Sequence, residues 1–191
     1  MKGEECYSFD KKYPQIAPQY NAIIPFTRCI IGPTDLTPCA FSDNVYPHLT
    51  TSAHELALSV VVECGLVHFA DSVESYRSLP NAPREFLRKV PVVWDDTRLL
   101  DGYPGRFAVI ARRAGDQWFV GAINGHCQSL EIKLDAEFLS AGSYRVQLIG
   151  DGKDARSFGV RTFELAADDA IRLSMRPFGG AAMHFTPVVG D

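Results

Sequence analysis

The chain has 191 residues, 46% hydrophobic and 22% charged, and 19 Lys and Arg against 23 Asp and Glu leave a net charge of -4. That balance fits a folded globular protein, excludes a disordered chain and offers no basic footprint for nucleic acid. No apolar run approaches the roughly 18 residues a membrane helix needs, and the opening MKGEECYSFD has no apolar stretch behind Lys2, so the sequence as written shows no secretion leader.

In chain order, residues 21–88 carry a helical pattern with loop interruptions. The strongest helix is expected over residues 52–64, where Ser52 and Glu55 read as a capping box and Ala53, Leu56, Ala57, Val60, Val61 and Cys64 recur at helical spacing. Leu58 and Val62 add a second apolar face, so the helix should be covered on more than one side. Gly65 ends it, and Leu66-Val67-His68-Phe69-Ala70 then reads as a short buried strand, a helix-to-strand succession typical of α/β folds.

Near residues 88–92 the pattern changes to short alternating strands separated by Gly-, Asp- and Asn-containing turns. Residues 106–113 and 117–123 flank Ala114-Gly115-Asp116, and further strands are expected at 130–134, 142–149, 161–165, 170–175 and 181–185. Seven strands in about 100 residues argue for an antiparallel β-sandwich. The first half holds too few elements to close a parallel sheet, so it should lean on chain that precedes it. Its apolar surface at Ala53, Leu56, Val60 and Phe69 is then expected to lie open in an isolated chain.

Five cysteines (Cys6, Cys29, Cys39, Cys64, Cys127) form no CxxC pair, and Cys29, Cys64 and less clearly Cys39 lie in or beside apolar stretches, which reads as buried thiols. His48, His54 and His68 fit no zinc spacing and read as hydrogen-bonded structural residues. Trp94, Trp118, Phe119 and Tyr144 could offer sugar-stacking faces. Trp118 and Phe119 alternate in one strand, however, so at least one must face a core.

The strings IPFTR (24–28), GPTDLTP (32–38), TTSAHELA (50–57), LVHFAD (66–71), VPVVWDD (90–96) and LLDGYPG (99–105), in this order, closely resemble the C-terminal part of glycoside hydrolase family 97. The resemblance implies a mixed fold. Residues 1–88 would be the incomplete tail of a (β/α)8 catalytic barrel and residues 89–191 an all-β antiparallel sandwich domain. It further implies an exo-acting α-glucosidase or α-galactosidase, releasing terminal α-linked sugars from an oligosaccharide. A calcium ion (Ca2+) serves the full-length enzyme, with no ligand assured in this chain. Partners implied are the upstream barrel and a second copy of the chain, with neither nucleic acid nor membrane. Intact relatives are often periplasmic or secreted, which leaves the location of this chain open.

Glycoside hydrolysis needs two carboxylates about the scissile bond. By the resemblance, Glu4 and Glu5 follow the penultimate barrel strand near the catalytic and calcium-binding carboxylates, where they are either site residues or solvated ones. Their side chains point opposite ways in extended chain, so at most one faces the pocket. Asp35 in the GPTD turn, Arg28 and Asp71 are candidates for substrate contact, each with a structural alternative: turn capping for Asp35 and Asp71, a rim salt bridge for Arg28. Gln19 stands in the stretch where relatives often carry a glutamate, and an amide cannot donate a proton as a carboxylic acid does. The expected outcome is a fragment inactive by itself. The alternative is a non-enzymatic β-sandwich that serves as an interaction, oligomerisation or carbohydrate-binding module.

Overall fold

The computed structural model describes residues 10–35, 37–65, 67–166 and 169–188. Its helical part begins with α1 (Tyr13–Asn21), followed by two 3-10 turns (Ile24–Phe26 and Arg28–Ile31), α2 (Ser52–Val61), α3 (Val73–Ser78) and α4 (Asn81–Lys89). The strands are β1 (Asp96–Tyr103), β2 (Phe107–Ala114), β3 (Gln117–Asn124), β4 (Leu130–Asp135), β5 (Ser143–Asp151), β6 (Phe158–Ala166), β7 (Ala170–Met175) and β8 (Gly180–Pro187). Every strand pair is antiparallel.

Six strands form one sheet in the order β1-β2-β3-β8-β5-β6, and β4 and β7 form a second, two-stranded one. Alternation sends Val109, Trp118, Val120, Val146, Met183 and Phe185 from the large sheet toward Leu134, Ile171, Leu173 and Met175 of the small one. That is the sandwich core expected from period-2 patterning. The hairpin between β2 and β3 turns on Gly115 at φ +61°, the left-handed backbone that a two-residue loop with glycine first requires.

The middle of the other face of the large sheet is also buried, because helices cover it. Ala57, Leu58 and Val61 of α2 pack with Ala108, Ile110 and Ile123, while Leu56 and Val60 meet Phe86 of α4, Phe119, Ile149 and Ala182. The expectation that Ala53, Leu56 and Val60 lie open is therefore wrong: all three are fully buried, because the sheet and α4 supply the cover. Of that set only Phe69 is partly exposed. Each such side chain withdrawn from water is worth about 1.5–3 kcal/mol.

Glycines set how close the helix comes. A Cβ on Gly121 of β3 would lie 2.7 Å from the Ala57 carbonyl oxygen and 2.8 Å from Val61 Cγ2, and one on Gly180 of β8 would lie 2.6 Å from His54 Cα. At the far end Arg112 of β2, buried among these layers, donates from Nε to the Val60 carbonyl (2.6 Å) and from Nη2 to that of Val61 (3.3 Å). Its Nη1 donates to Thr97 Oγ1 (2.8 Å) and Glu63 Oε2 (3.2 Å). A cation on the last helical carbonyls satisfies acceptors the helix cannot satisfy itself.

Several local expectations need correction. Residues 67–70 form no strand and are not buried; Ala70 donates its N–H to the Pro38 carbonyl (2.9 Å) in a loop-to-loop contact instead. Leu66 lies outside the described residues. Helix α2 stops at Val61, and its cap is Thr51, whose Oγ1 accepts from His54 N (3.1 Å), rather than Ser52. Glu55 turns away from any capping box toward Thr50 and Ala40. Strand β1 was not expected, and neither was α1, which holds both Pro14 and Pro18.

Substituting Gly121→Ala should destabilise the chain by about 1–3 kcal/mol, since the added methyl meets helix backbone that cannot yield cheaply. Gly65→Ala, with nothing within 4 Å of the new Cβ, should stay within about 0.5 kcal/mol. Urea unfolding of the two variants measures the difference.

Candidate functional site

The densest polar chemistry lies where the N-terminus of α2 meets the end of the β5–β6 hairpin. Thr51 Oγ1, besides capping the helix, donates to Asp151 Oδ1 at 2.5 Å across 100 residues of sequence. The other oxygen of Asp151 accepts from the N–H groups of Arg176 (2.8 Å) and Gly180 (3.2 Å). Two backbone bonds reinforce the contact, Ser52 N to the Ala155 carbonyl (2.8 Å) and Thr51 N to that of Phe178 (3.1 Å).

One turn along, His54 is wholly buried. Its Nδ1 lies 3.2 Å from the Gly179 carbonyl, which can only accept, so Nδ1 carries the proton and Nε2 accepts from Asn21 Nδ2 at 3.1 Å. Burial holds its pKa below the ordinary histidine value, so it is a neutral ring. Beside it Glu55 accepts from Thr50 Oγ1 (2.6 Å) and Ala40 N (3.2 Å), with His48 Nδ1 at 3.8 Å. Burial alone would push its carboxyl up. Hydrogen bonding and charge from His48, together with the hydrogen bond from Thr50, outweigh that and hold it below the usual range. Arg156 closes the outer side, paired bidentately with Asp43 (2.8 and 2.7 Å) and donating to the carbonyls of Thr50 (2.6 Å) and His48 (2.9 Å).

Chemically this cluster is a weld. Its carboxylates are saturated by donors, and His54 has both nitrogens engaged inside the protein, so nothing there is poised to attack or protonate a substrate. Next to it opens a polar hollow of about 540 Å3, walled by Ser42, Asp43, Glu74, Ser75 and Arg156 with the ring of Phe41.

Asp71, expected as a rim residue, borders that hollow through its partners. Its Oδ2 accepts from Phe41 N, Ser42 N (both 2.7 Å) and Ser75 Oγ (2.8 Å), and its Oδ1 from Ser42 Oγ (2.9 Å) and Ser72 N (2.8 Å). Burial raises its pKa, and these bonds, the one from Ser75 foremost, more than reverse the effect. Arg28 lies on the second 3-10 turn and donates to the Gly32 carbonyl (3.1 Å), while Asp35 is exposed in the following loop. Glu4 and Glu5 lie outside the described residues. Gln19 is exposed on α1, its Cγ 3.5 Å from where a Cβ on Gly105 would stand.

Among the described residues no three His, Cys, Asp or Glu side chains assemble to hold a metal ion. Trp118 and Phe119 point to opposite faces as alternation requires, yet both are buried: Trp118 against Phe138 at 5.3 Å, and Phe119 stacked on His184 at 4.4 Å. Tyr144 is core, and half-buried Trp94 packs edge-on to Phe119 at 5.6 Å. Sequence reasoning missed Asp151 and Arg156 as partners of the helix start. Nothing local in the sequence reports a bond across 100 residues.

The pH dependence follows from the histidines. His184 is pulled from 6.5 down to about 4 by burial and by the charge of Lys89, and His54 is also depressed. Below about pH 6.5 the unfolded chain takes up protons at these sites that the folded chain refuses, so stability falls as pH drops from 6.5 toward 4. Glu55, depressed when folded, loses its contribution only as pH falls through its folded value. Melting temperature should therefore drop between pH 7 and pH 4, and His184→Gln should flatten that slope.

The chain can now be set beside known proteins. Residues 93–186 match the family described as "Glycosyl-hydrolase 97 C-terminal, oligomerisation". A "Probable retaining alpha-galactosidase" of Streptomyces bingchenggensis is 42% identical over 137 residues, 71% of this chain and 21% of that protein. A "Retaining alpha-galactosidase" of Bacteroides thetaiotaomicron is 33% identical over 179 residues, 86% of this chain and 27% of that protein. A glycoside hydrolase family 97 enzyme from Pseudoalteromonas sp. strain K8, solved in complex with panose, superposes with TM-score 0.81 at 28% identity, covering 90% of this chain and 29% of that one. The chain spans about a quarter of the length of the curated relatives it matches.

Proposed function

Residues 93–186 belong to the C-terminal domain of glycoside hydrolase family 97, and from that premise we propose that the chain is the C-terminal part of a retaining α-galactosidase-type enzyme and is inactive by itself. The observation that carries this reading is the reach of the likeness. It extends past the β domain through the helical arm, to 86% of the chain, while ending after about a quarter of the relative. Residues 1–88 are on this reading the tail of a (β/α)8 barrel. Calcium, together with most of the pocket that would hold the α-linked sugar, belongs to the part of the enzyme upstream. Galactoside is favoured over glucoside because the Streptomyces and Bacteroides relatives carry the α-galactosidase name.

Inactivity of the isolated chain follows from what retaining hydrolysis demands, a nucleophile and an acid held about 5–5.5 Å apart on a rigid frame. Of the candidate carboxylates, Asp71 is committed to five internal donors and Asp35 stands exposed on a loop. A misplacement of about 1 Å already costs on the order of 100-fold. One observation favours a second reading, a sugar-binding module without catalysis: the hollow beside Asp71 is lined by hydroxyls, carboxylates and an arginine next to an aromatic ring, the chemistry that recognises neutral sugars.

The purified chain with calcium should release no p-nitrophenol from α-galactoside or α-glucoside substrates above a Glu4→Gln, Glu5→Gln double variant. Turnover above that control would overturn the fragment reading. Galactose binding by calorimetry, lost on Glu74→Ala, without turnover would favour the module.

A further inference from the structure

The six-stranded sheet ends in two edges of unlike character. Edge strand β1 slips register between Leu99 and Asp101, a bulge, and carries Asp96, Arg98 and Asp101. Arg98 is held to Asp96 (2.9 Å), to the Phe138 carbonyl (3.2 Å) and over the ring of Trp118 (5.1 Å). Bulges and charges of this kind blunt an edge against pairing with another chain. Edge strand β6 has no bulge, and its charges are one Arg161 and one Glu164. Its nine residues pair with β5 in unbroken register from Ser143↔Ala166 to Asp151↔Phe158, and among the described residues no other strand pairs with it. At its end Ala166 is already paired, its N–H donating to Asp169 Oδ2 (2.9 Å) and its carbonyl accepting from Asp169 N (3.1 Å), so the outward N–H and C=O groups of residues 158–165 form the template, about 26 Å long.

Resting on the reading of this domain as an oligomerisation module, we propose that two copies of the chain associate by antiparallel pairing of their β6 strands about a two-fold axis at Thr162. Such an axis runs perpendicular to the sheet and keeps every side chain on its own face, as an isologous contact requires. Overlap of residues 159–165 with the same residues of the copy sets Thr162 opposite Thr162, Val160 opposite Glu164 and Arg161 opposite Phe163. No like charges face each other, and Val160, 46% exposed in the single chain, gains cover. On the face toward β4 and β7, a cleft of about 740 Å3 opens beside β5 and β6, walled by Glu131, Lys133, Arg161 and Arg172. Both signs of charge within one patch are what a surface meeting its own copy needs.

The test is sedimentation of the full chain over a concentration series, with light scattering for mass. The wild type should show a mass of twice 21.1 kDa. Thr162→Lys, which places two ammonium groups face to face on an exposed position, should raise the dimer dissociation constant at least tenfold. Leu99→Lys on β1 should leave it within twofold. Thr162→Cys in a Cys127→Ser background should form a disulfide-linked dimer under diamide, which keeps the proposal testable if the lysine variant misfolds. A dimer that survives Thr162→Lys, fails to cross-link at position 162 or is lost on Leu99→Lys overturns the β6 assignment while keeping the oligomerisation reading. A monomeric wild type overturns both.

Discussion

The contact on which the rest of the structure depends is the backbone of α2 lying directly on the backbone of β3 and β8. Glycine at 121 and 180 removes the side chains that would hold the helix off, so Ala57, Val60 and Val61 reach a sheet surface they could not otherwise touch. From that closeness follow the two apolar clusters beneath the helix, the seat for α4 through Phe86, and the burial of a sheet face that a simple sandwich would leave wet. Arg112 and Asp151 then hold the two ends of the same helix, one through its last carbonyls and the other through its cap.

Such closeness also forces polarity inward. A helix whose every residue is buried still brings Ser52, His54, Glu55 and Ser59 with it, and each must be satisfied where water does not reach. The structure answers with partners within the chain: Thr50 and Ala40 donate to Glu55, Asn21 donates to His54, His54 donates to the Gly179 carbonyl, and Ser59 donates to the Leu56 carbonyl of its own helix. Loop 37–50 and α1 owe their positions to these bonds as much as to apolar contact. Removing one partner would leave a buried group unpaired, a larger loss than the bond itself.

The strands of the sandwich were legible because a two-residue alternation survives wherever a strand has one face against a core. Strand β1 escaped notice because its bulge puts Leu99 and Leu100 on a broken period and its charges read as loop. Residues 67–70 misled in the opposite way: an apolar string suggests a buried strand, but among the described residues no strand pairs with it. Helix α2 was recognised, though not what covers it, since its two apolar faces say that partners exist without naming them. The capping function of Asp71 was one of its two readings from sequence. The weld at Thr51 and Asp151 was not readable, because the residues that make it are ordinary surface types until the fold brings them together.

These features bear on what such a domain contributes to an enzyme. In the proposed intact protein the reacting carboxylates sit on barrel loops, and their separation can be no steadier than the segments that close the barrel. An arm tied to a sandwich through two glycines, a buried arginine and a saturated polar cluster has few ways to shift without breaking several bonds at once. With the polar side chains of this cluster spent internally, two surfaces that stay open to outside contact among the described residues are the sheet edge at β6 and the hollow beside Asp71. Rigidity supplied from the inner face of the sheet and association supplied from its outer edge can therefore operate independently, since α2 meets β3 and β8 at the middle of the sheet and β6 lies at its margin.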